Sequence, residues 1–355
     1  MTTPFRAAAE ALAPVDQVAA LATSEHLDRL TKPPGSLGRL EDIAVKLAAI
    51  AGTCPPPVPA PAVVAVFAGD HGVLSEGVSP WPAEVTAQMV ANFCAGGAAI
   101  NVLARHVDAA VMVVDVGVAR DLDPAPNLIQ AKVGHGTANL ALEPAMTVEQ
   151  CLLALDAGAT TAAQLVAGGA RCLITGDMGI GNTTPSAALI AAFTGRAAAE
   201  VTGRGTGIDD LMLNRKISVI EQALNRQKQA PGGLAEPLVV LAGLGGYEIA
   251  GLAGFIIGGA ASRIPVLIDG VIATAALLAA RALAPGVVDY CFAGHRSAEP
   301  GARVALTELG LEPLLDLDLR LGEGTGACLA LPTLQAAAKV VAEMATFYSA
   351  GVTQK

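Results

Sequence analysis

A short apolar run at 171–174 leads into Thr175-Gly176-Asp177-Met178-Gly179-Ile180-Gly181-Asn182-Thr183-Thr184-Pro185, and an alanine-rich apolar stretch follows at 186–193. The order reads as buried strand, glycine loop and helix, with Thr184 as N-cap and Pro185 at the first helical position. The alternation continues downstream, with strands expected at 238–244, 264–268 and 287–292 and helices at 248–257 and 272–283. Upstream, strands are expected at 62–67 and 109–115 and helices at 84–94 and 98–106. Thr147-Val148-Glu149-Gln150 is a capping-box pattern that opens a long helix ending near Gly168. Repeated strand–helix units imply an α/β fold, a mostly parallel sheet with helices on both faces and ligands at the carboxyl ends of the strands.

Both chain ends break this rhythm. Residues 1–52 read as helical: Pro14 opens one helix, with Val15, Val18, Leu21, Leu27 and Leu30 near helical spacing, and a second covers 40–50. A proline run at 54–61 separates them from the α/β body, and 327–348 is helical again. A small helical domain from both termini (1–55 and 328–355) beside a large α/β domain (56–327) is therefore expected.

Composition limits the function. A net charge of −10 argues against a nucleic-acid surface, so an anionic ligand must be met by loops and a few placed cations. Cys54, Cys94, Cys151, Cys172, Cys291 and Cys328 are far apart with no CxxC pair, and read as free thiols of a reducing compartment. No histidine shows zinc spacing, and residues 1–10 lack the pattern of a signal peptide. Residues 237–261 are apolar and long enough to span a bilayer, but Gly245-Gly246 breaks the run and Glu248 sits in its middle. A buried strand, turn and helix are expected there, with no membrane contact.

Several stretches carry candidate chemistry. The 175–185 loop can hold an anion on glycine backbone and a helix N-terminus, with hydroxyls of Thr183 and Thr184 as added donors. It is neither GxGxxG nor a Walker A loop, so an ordinary strand–helix connection stays open. Gly203-Arg204-Gly205-Thr206-Gly207 offers a second set of amides, and a helix capped by Asp209 or Asp210 carries Arg215 and Lys216 behind it. Asp70-His71 ends a strand, and Gly134-His135-Gly136-Thr137-Ala138-Asn139 is the part of a long aperiodic segment expected to face a ligand. Lys32 to Arg39 is either a helix connection or the edge of a site. Glu323, between Gly322 and Gly324, is the most informative single residue: desolvated by apolar walls, such a carboxylate gains basicity and serves as a general base.

Taken in order, KPPGSLGRLE (32–41), DHGV (70–73), EVTAQM (84–89), GIGNTT (179–184), GGYEIAG (245–251), SAE (297–299) and LGEGTGA (321–327) resemble the nicotinate-nucleotide:dimethylbenzimidazole phosphoribosyltransferase family. The likeness spans nearly the whole chain. It implies a Rossmann-like sheet with a small helical domain, a cytoplasmic homodimer, and transfer of phosphoribose from nicotinate mononucleotide to 5,6-dimethylbenzimidazole in the assembly of the lower ligand of cobalamin. It further implies that Glu323 is the base and that Gly179, Ile180, Gly181, Asn182, Thr183 and Gly205 meet the 5′-phosphate with Lys216 and Ser297. Ser79, Trp81 and Gln88 fall in the base pocket. Asp177 stands where the family has Glu, with a supporting role at ribose or base, and Trp81 where a tyrosine-type aromatic is common.

The implied reaction needs no metal, because the departing pyridine becomes neutral at its nitrogen, and no cofactor is expected. Acceptors other than dimethylbenzimidazole, including another azole or a purine, and a non-catalytic nucleotide sensor are the alternatives. A nicotinamide-dependent oxidoreductase is disfavoured by the absence of GxGxxG with a following acid.

Overall fold

The structure, a computed structural model, describes residues 2–353 apart from Thr206. Three helices, α1 (Pro4–Ala11), α2 (Gln17–Leu27) and α3 (Arg39–Ala51), precede β1 (Ala62–Gly69). Next come α4 (Glu84–Cys94), α5 (Ala99–His106), β2 (Ala109–Gly117), β3 (Leu128–Gln130), α6 (Val148–Ala167) and β4 (Cys172–Met178). Then follow α7 (Thr183–Thr194), α8 (Ala198–Val201), α9 (Asp210–Gln229), α10 (Pro237–Leu244), α11 (Tyr247–Ala261) and β5 (Val266–Ile268). The chain ends with α12 (Val271–Leu283), β6 (Cys291–Ala293), α13 (Pro300–Leu309), α14 (Thr325–Glu343) and α15 (Phe347–Ala350).

All strands pair in parallel in the order β3-β2-β1-β4-β5-β6. The order reverses between β1 and β4, and an open parallel sheet has its ligand crevice beyond the carboxyl ends at that reversal. β1 is nearly all Val, Ala and Phe because both of its faces are covered, and β4 beside it is buried from Cys172 to Asp177. α11 packs against β1, β2 and β4, and α6 lies along α11. That crossing is closer than side chains allow: a Cβ on Gly158 would meet Gly251 O at 1.9 Å, and one on Gly254 would meet Leu155 O at 2.0 Å.

At the ends, α2, α3 and α14 pack together and Leu30 bridges to Thr346, whereas α1 packs against α6 and α11. The N-terminal reading changes in detail. α2 starts at Asp16, whose side chain accepts the N–H groups of Val18 and Ala19, rather than at Pro14, and Val18 and Leu21 are exposed. The separate helix α1 has no counterpart in the sequence reading.

Three further elements differ from expectation. Residues 237–244 form α10 rather than a strand: Pro237 sits in its first turn, and a run apolar on every face carries no period to separate helix from strand. Residues 287–290 are a 3₁₀ turn, with β6 only at Cys291–Ala293. β4 runs on through Met178, so Gly176 and Asp177 are strand rather than loop, and α7 begins at Thr183 with Asn182 as N-cap.

The expected ligand-facing segment 134–139 is structural. Thr137 Oγ1 accepts the Gly72 N–H, Asn139 Nδ2 donates to Glu76, and Gly134 lies under the Tyr247 ring. Lys32 pairs with Glu41 at 2.7 Å and Arg39 holds the carbonyls of Glu312 and Pro313, so 32–39 is a helix connection. The six cysteines are free thiols, four of them buried. α10 and α11 are core helices, and Glu248 pairs with His71 at 2.7 Å. By length and composition Glu84–His106 and Thr325–Glu343 are apolar enough to cross a bilayer, but the first is broken between α4 and α5 and the second packs against α3 and α5.

Candidate active site

A cleft of about 300 Å³ opens where the sheet order reverses, lined by the end of β4 and by segments that follow β1, β4, β5 and β6. Its size is at the lower end of small-molecule sites. One end can hold an anion. The N–H of Ile180 is given to Thr86 Oγ1 at 3.1 Å and that of Asn182 to Gly179 O, but those of Gly179, Gly181 and Thr183 have no protein partner among the described residues. Alternate amides of the loop are thus open at the N-terminus of α7, where the helix dipole favours negative charge.

Lys216 reaches the same place from α9. Its Nζ donates to Thr183 Oγ1 at 2.7 Å and to Gly203 O at 3.3 Å, and the side chain is 1% exposed. Burial pulls its pKa down to about 8, opposed by the charge of Glu299. Among the described residues it has no carboxylate within ion-pair distance, so a buried ammonium rests on neutral oxygens. Ser297, buried, lines the same end.

The centre of the cleft holds carboxylates. Glu323 lies on a left-handed turn (φ +63°) between Gly322 and Gly324, which are also left-handed. For a residue with a Cβ that backbone costs about 1 kcal/mol or more, and such strain persists where the surroundings impose it. They do so here. Gly176 of β4 lies directly under the turn, where a Cβ would meet Glu323 O at 2.6 Å. Asp269, at the end of β5, accepts the N–H groups of Gly324 at 3.1 Å and Ala327 at 2.9 Å. Ile100, in the first turn of α5, donates its N–H to Glu323 Oε2 at 3.2 Å. Burial raises the Glu323 pKa, the Ile100 N–H opposes it, and the nearby Asp269 charge adds to the rise.

Asp177 is buried on β4 beside this turn. Its Oδ2 accepts from Asn182 Nδ2 at 3.0 Å, and its Oδ1 has no partner among the described residues. Burial pushes its pKa up to about 8, helped by Asp269, Glu248 and Glu323 and resisted by the Asn182 bond. At neutral pH this carboxyl keeps a proton.

The far end is an apolar slot. Val78, Pro80, Val85, Met89, Ile272 and Leu321 line it with Ser79 and Trp81, and Trp81 is about half exposed. Ser79 Oγ accepts the Trp81 N–H at 3.2 Å. Gln88 is not brought into the cleft: the inward stripe of α4 is Val85 and Met89, one turn apart, and Gln88 is exposed. Every other residue that the family resemblance places in the site lines the cleft, whereas Thr184, Arg215 and the Asp70-His71 pair do not.

Sequence reasoning gave no role to four groups at the site, Asp269, His295, Glu299 and Arg320, although His295 and Glu299 lie in a stretch expected at the carboxyl end of a strand. Asp269 and His295 follow β5 and β6, where carboxyl-end placement was a usable signal; they lie 3.3 Å apart, buried. Glu299 and Arg320 act through long-range contacts with Gly205, which no local pattern encodes. Asp115 is structural, paired with Lys132 at 3.0 Å.

A family model described as phosphoribosyltransferase matches residues 12–352. The chain is 54% identical to the nicotinate-nucleotide–dimethylbenzimidazole phosphoribosyltransferase of Salinispora tropica, covering 97% of this chain and 98% of the relative. It is 55% identical to that of Chloroflexus aurantiacus, covering 97% of each. The crystal structure of the enzyme so named from Thermus thermophilus superimposes with a TM-score of 0.90 at 48% identity, over 96% of this chain and all of that one. The chain therefore belongs to the nicotinate-nucleotide–dimethylbenzimidazole phosphoribosyltransferase family.

Proposed function

We propose that the protein transfers the 5-phosphoribosyl group of nicotinate mononucleotide to 5,6-dimethylbenzimidazole, giving nicotinate and α-ribazole 5′-phosphate, with inversion at C1′ and Glu323 as general base. The names of its relatives support the substrates. The observation that carries the mechanism is Glu323 itself, a buried carboxylate of raised pKa held on strained backbone between an anion end and an apolar slot.

Each end of the cleft has its task. The amides of Gly179, Gly181 and Thr183, with Lys216 and Ser297, hold the 5′-phosphate, which fixes C1′ near the carboxylates. The acceptor lies flat in the slot among Ser79, Trp81, Val85 and Met89. One ring nitrogen attacks C1′ from the face opposite the departing nicotinate, through an oxocarbenium-like state. Positive charge grows on the benzimidazole, and Glu323 takes the proton from its other nitrogen. Asp177, protonated at neutral pH, offers a hydrogen bond to ribose or base. Positioning two substrates in one slot supplies much of the rate.

The same reading makes the protein a cytoplasmic homodimer, with residues 1–55 and 328–355 as a small helical domain on a large one (56–327). The packing of α2, α3 and α14 supports that division.

The test is incubation of purified protein and its Glu323→Gln variant with nicotinate mononucleotide and dimethylbenzimidazole, following both products. Turnover by wild type that collapses in the variant supports the reaction and the base. Equal turnover in both removes Glu323 from the base role, and no ribazole phosphate from wild type rejects this acceptor in favour of another azole or a purine.

A further inference from the structure

One backbone N–H at the anion end has two claimants. Gly205 donates to Glu299 Oε1 at 2.8 Å across 94 positions of sequence. Glu299 is buried, and the 203–205 turn wraps it so closely that a Cβ on Gly203 would lie 2.0 Å from Oε2. Yet Gly205 lines the cleft beside Lys216 and Thr183, where a phosphate would take the same amide. We propose that Glu299 is an internal stand-in for the phosphate: it holds the Gly205 N–H and balances Lys216, and a phosphorylated ligand must displace it to bind. This rests on the reading of that end as the phosphate site.

Charge accounting carries the argument. Lys216 is buried with neutral oxygens as its direct partners, and Glu299 is the one carboxylate whose charge acts on it appreciably. A phosphate arriving beside a fixed Glu299 would crowd like charges in a poorly solvated pocket, whereas an exchange keeps both Lys216 and the Gly205 amide satisfied throughout. The exchange needs no unfolding. Glu299 is the N-cap of α13, Pro300 follows in its first turn, and the Glu299 N–H is held by Ser297 Oγ at 3.3 Å, so the side chain can swing while its backbone stays. Phosphate affinity is then lower than the donor set alone would give. Donor and product both carry that phosphate, and the returning carboxylate favours release of the product.

The experiment is calorimetric titration of wild type, Glu299→Gln, Glu299→Asp and Lys216→Met with ribose 5-phosphate and with ribose. Removing the charge in Glu299→Gln is expected to tighten ribose 5-phosphate about fivefold and leave ribose unaffected, with a matching fall in the KM for nicotinate mononucleotide. Glu299→Asp, too short to hold Gly205, shifts in the same direction and serves if the first variant fails to fold. Unchanged or weaker ribose 5-phosphate binding in folded Glu299 variants, with wild type and Lys216→Met differing as expected, overturns the stand-in alone. Wild type that ignores ribose 5-phosphate, or Lys216→Met that binds it as well as wild type, overturns the phosphate reading and the stand-in with it.

Discussion

The two ends of the cleft are made of different material. The anion end is backbone amide, a helix terminus and one buried ammonium, all fixed by β4, α7 and α9. The apolar end is side chains on the 78–81 loop and one stripe of α4, with Trp81 about half in solvent. The amides of the first end cannot be moved without refolding the loop, so substitution there reaches only the side chains around them, whereas an end built of exposed side chains can be reshaped residue by residue. On the function proposed above, recognition of phosphoribose is the rigid property of this cleft, and choice of acceptor the adjustable one.

Four substitutions test that division, in descending order of effect. Glu323→Gln, between the ends, should lower kcat about 10²- to 10⁴-fold while both KM values change little, as loss of a general base does. The pH profile sharpens this. Because burial raises the Glu323 pKa, kcat/KM should begin to fall on acidification at a higher pH than an ordinary glutamate would impose, and the variant should lose that limb. Lys216→Met should raise the donor KM about 10- to 100-fold, the value of a charged hydrogen bond, with acceptor KM nearly unchanged. Equal damage to both KM values would break the comparison. Trp81→Ala should do the opposite, raising acceptor KM about tenfold and narrowing the preference among benzimidazoles.

The smallest effect is on stability. The Asp177 carboxyl keeps its proton in the fold up to about pH 8 but loses it near 3.8 when unfolded, so its contribution is full in acid and drains away as pH rises between those values. Asp177→Asn should therefore raise the melting midpoint relative to wild type more at about pH 8 than at about pH 5. A difference independent of pH would show that Asp177 is already ionised in the fold.

Sequence pattern carried the parts with local causes. The capping box at Thr147 and Gln150 forms as expected, and β1, α4 and α5 fall within a residue or two of their expected bounds, because caps and periodicity are written in neighbouring residues. The glycine loop between β4 and α7 was legible for the same reason. What was not legible depends on burial and distance. Residues 237–244 are apolar on every side, so strand and helix look alike until packing chooses. Gln88 falls outside the slot because its neighbours Val85 and Met89 face inward, a rotation that only the docked α4 fixes. The clamp of Asp269 on Gly324 and Ala327 joins residues 55 and 58 positions apart, and no motif announces it.

That clamp also bears on when the protein becomes active during synthesis. Glu323 lies near the end of a 355-residue chain, and its turn is shaped by Gly176 from β4, Asp269 from β5 and the first turn of α5. If the proposed roles hold, the residues of the phosphate loop leave the ribosome long before the base does. Catalysis would then wait for the turn of Glu323 to meet Asp269, Gly176 and Ile100, the last contacts the site needs.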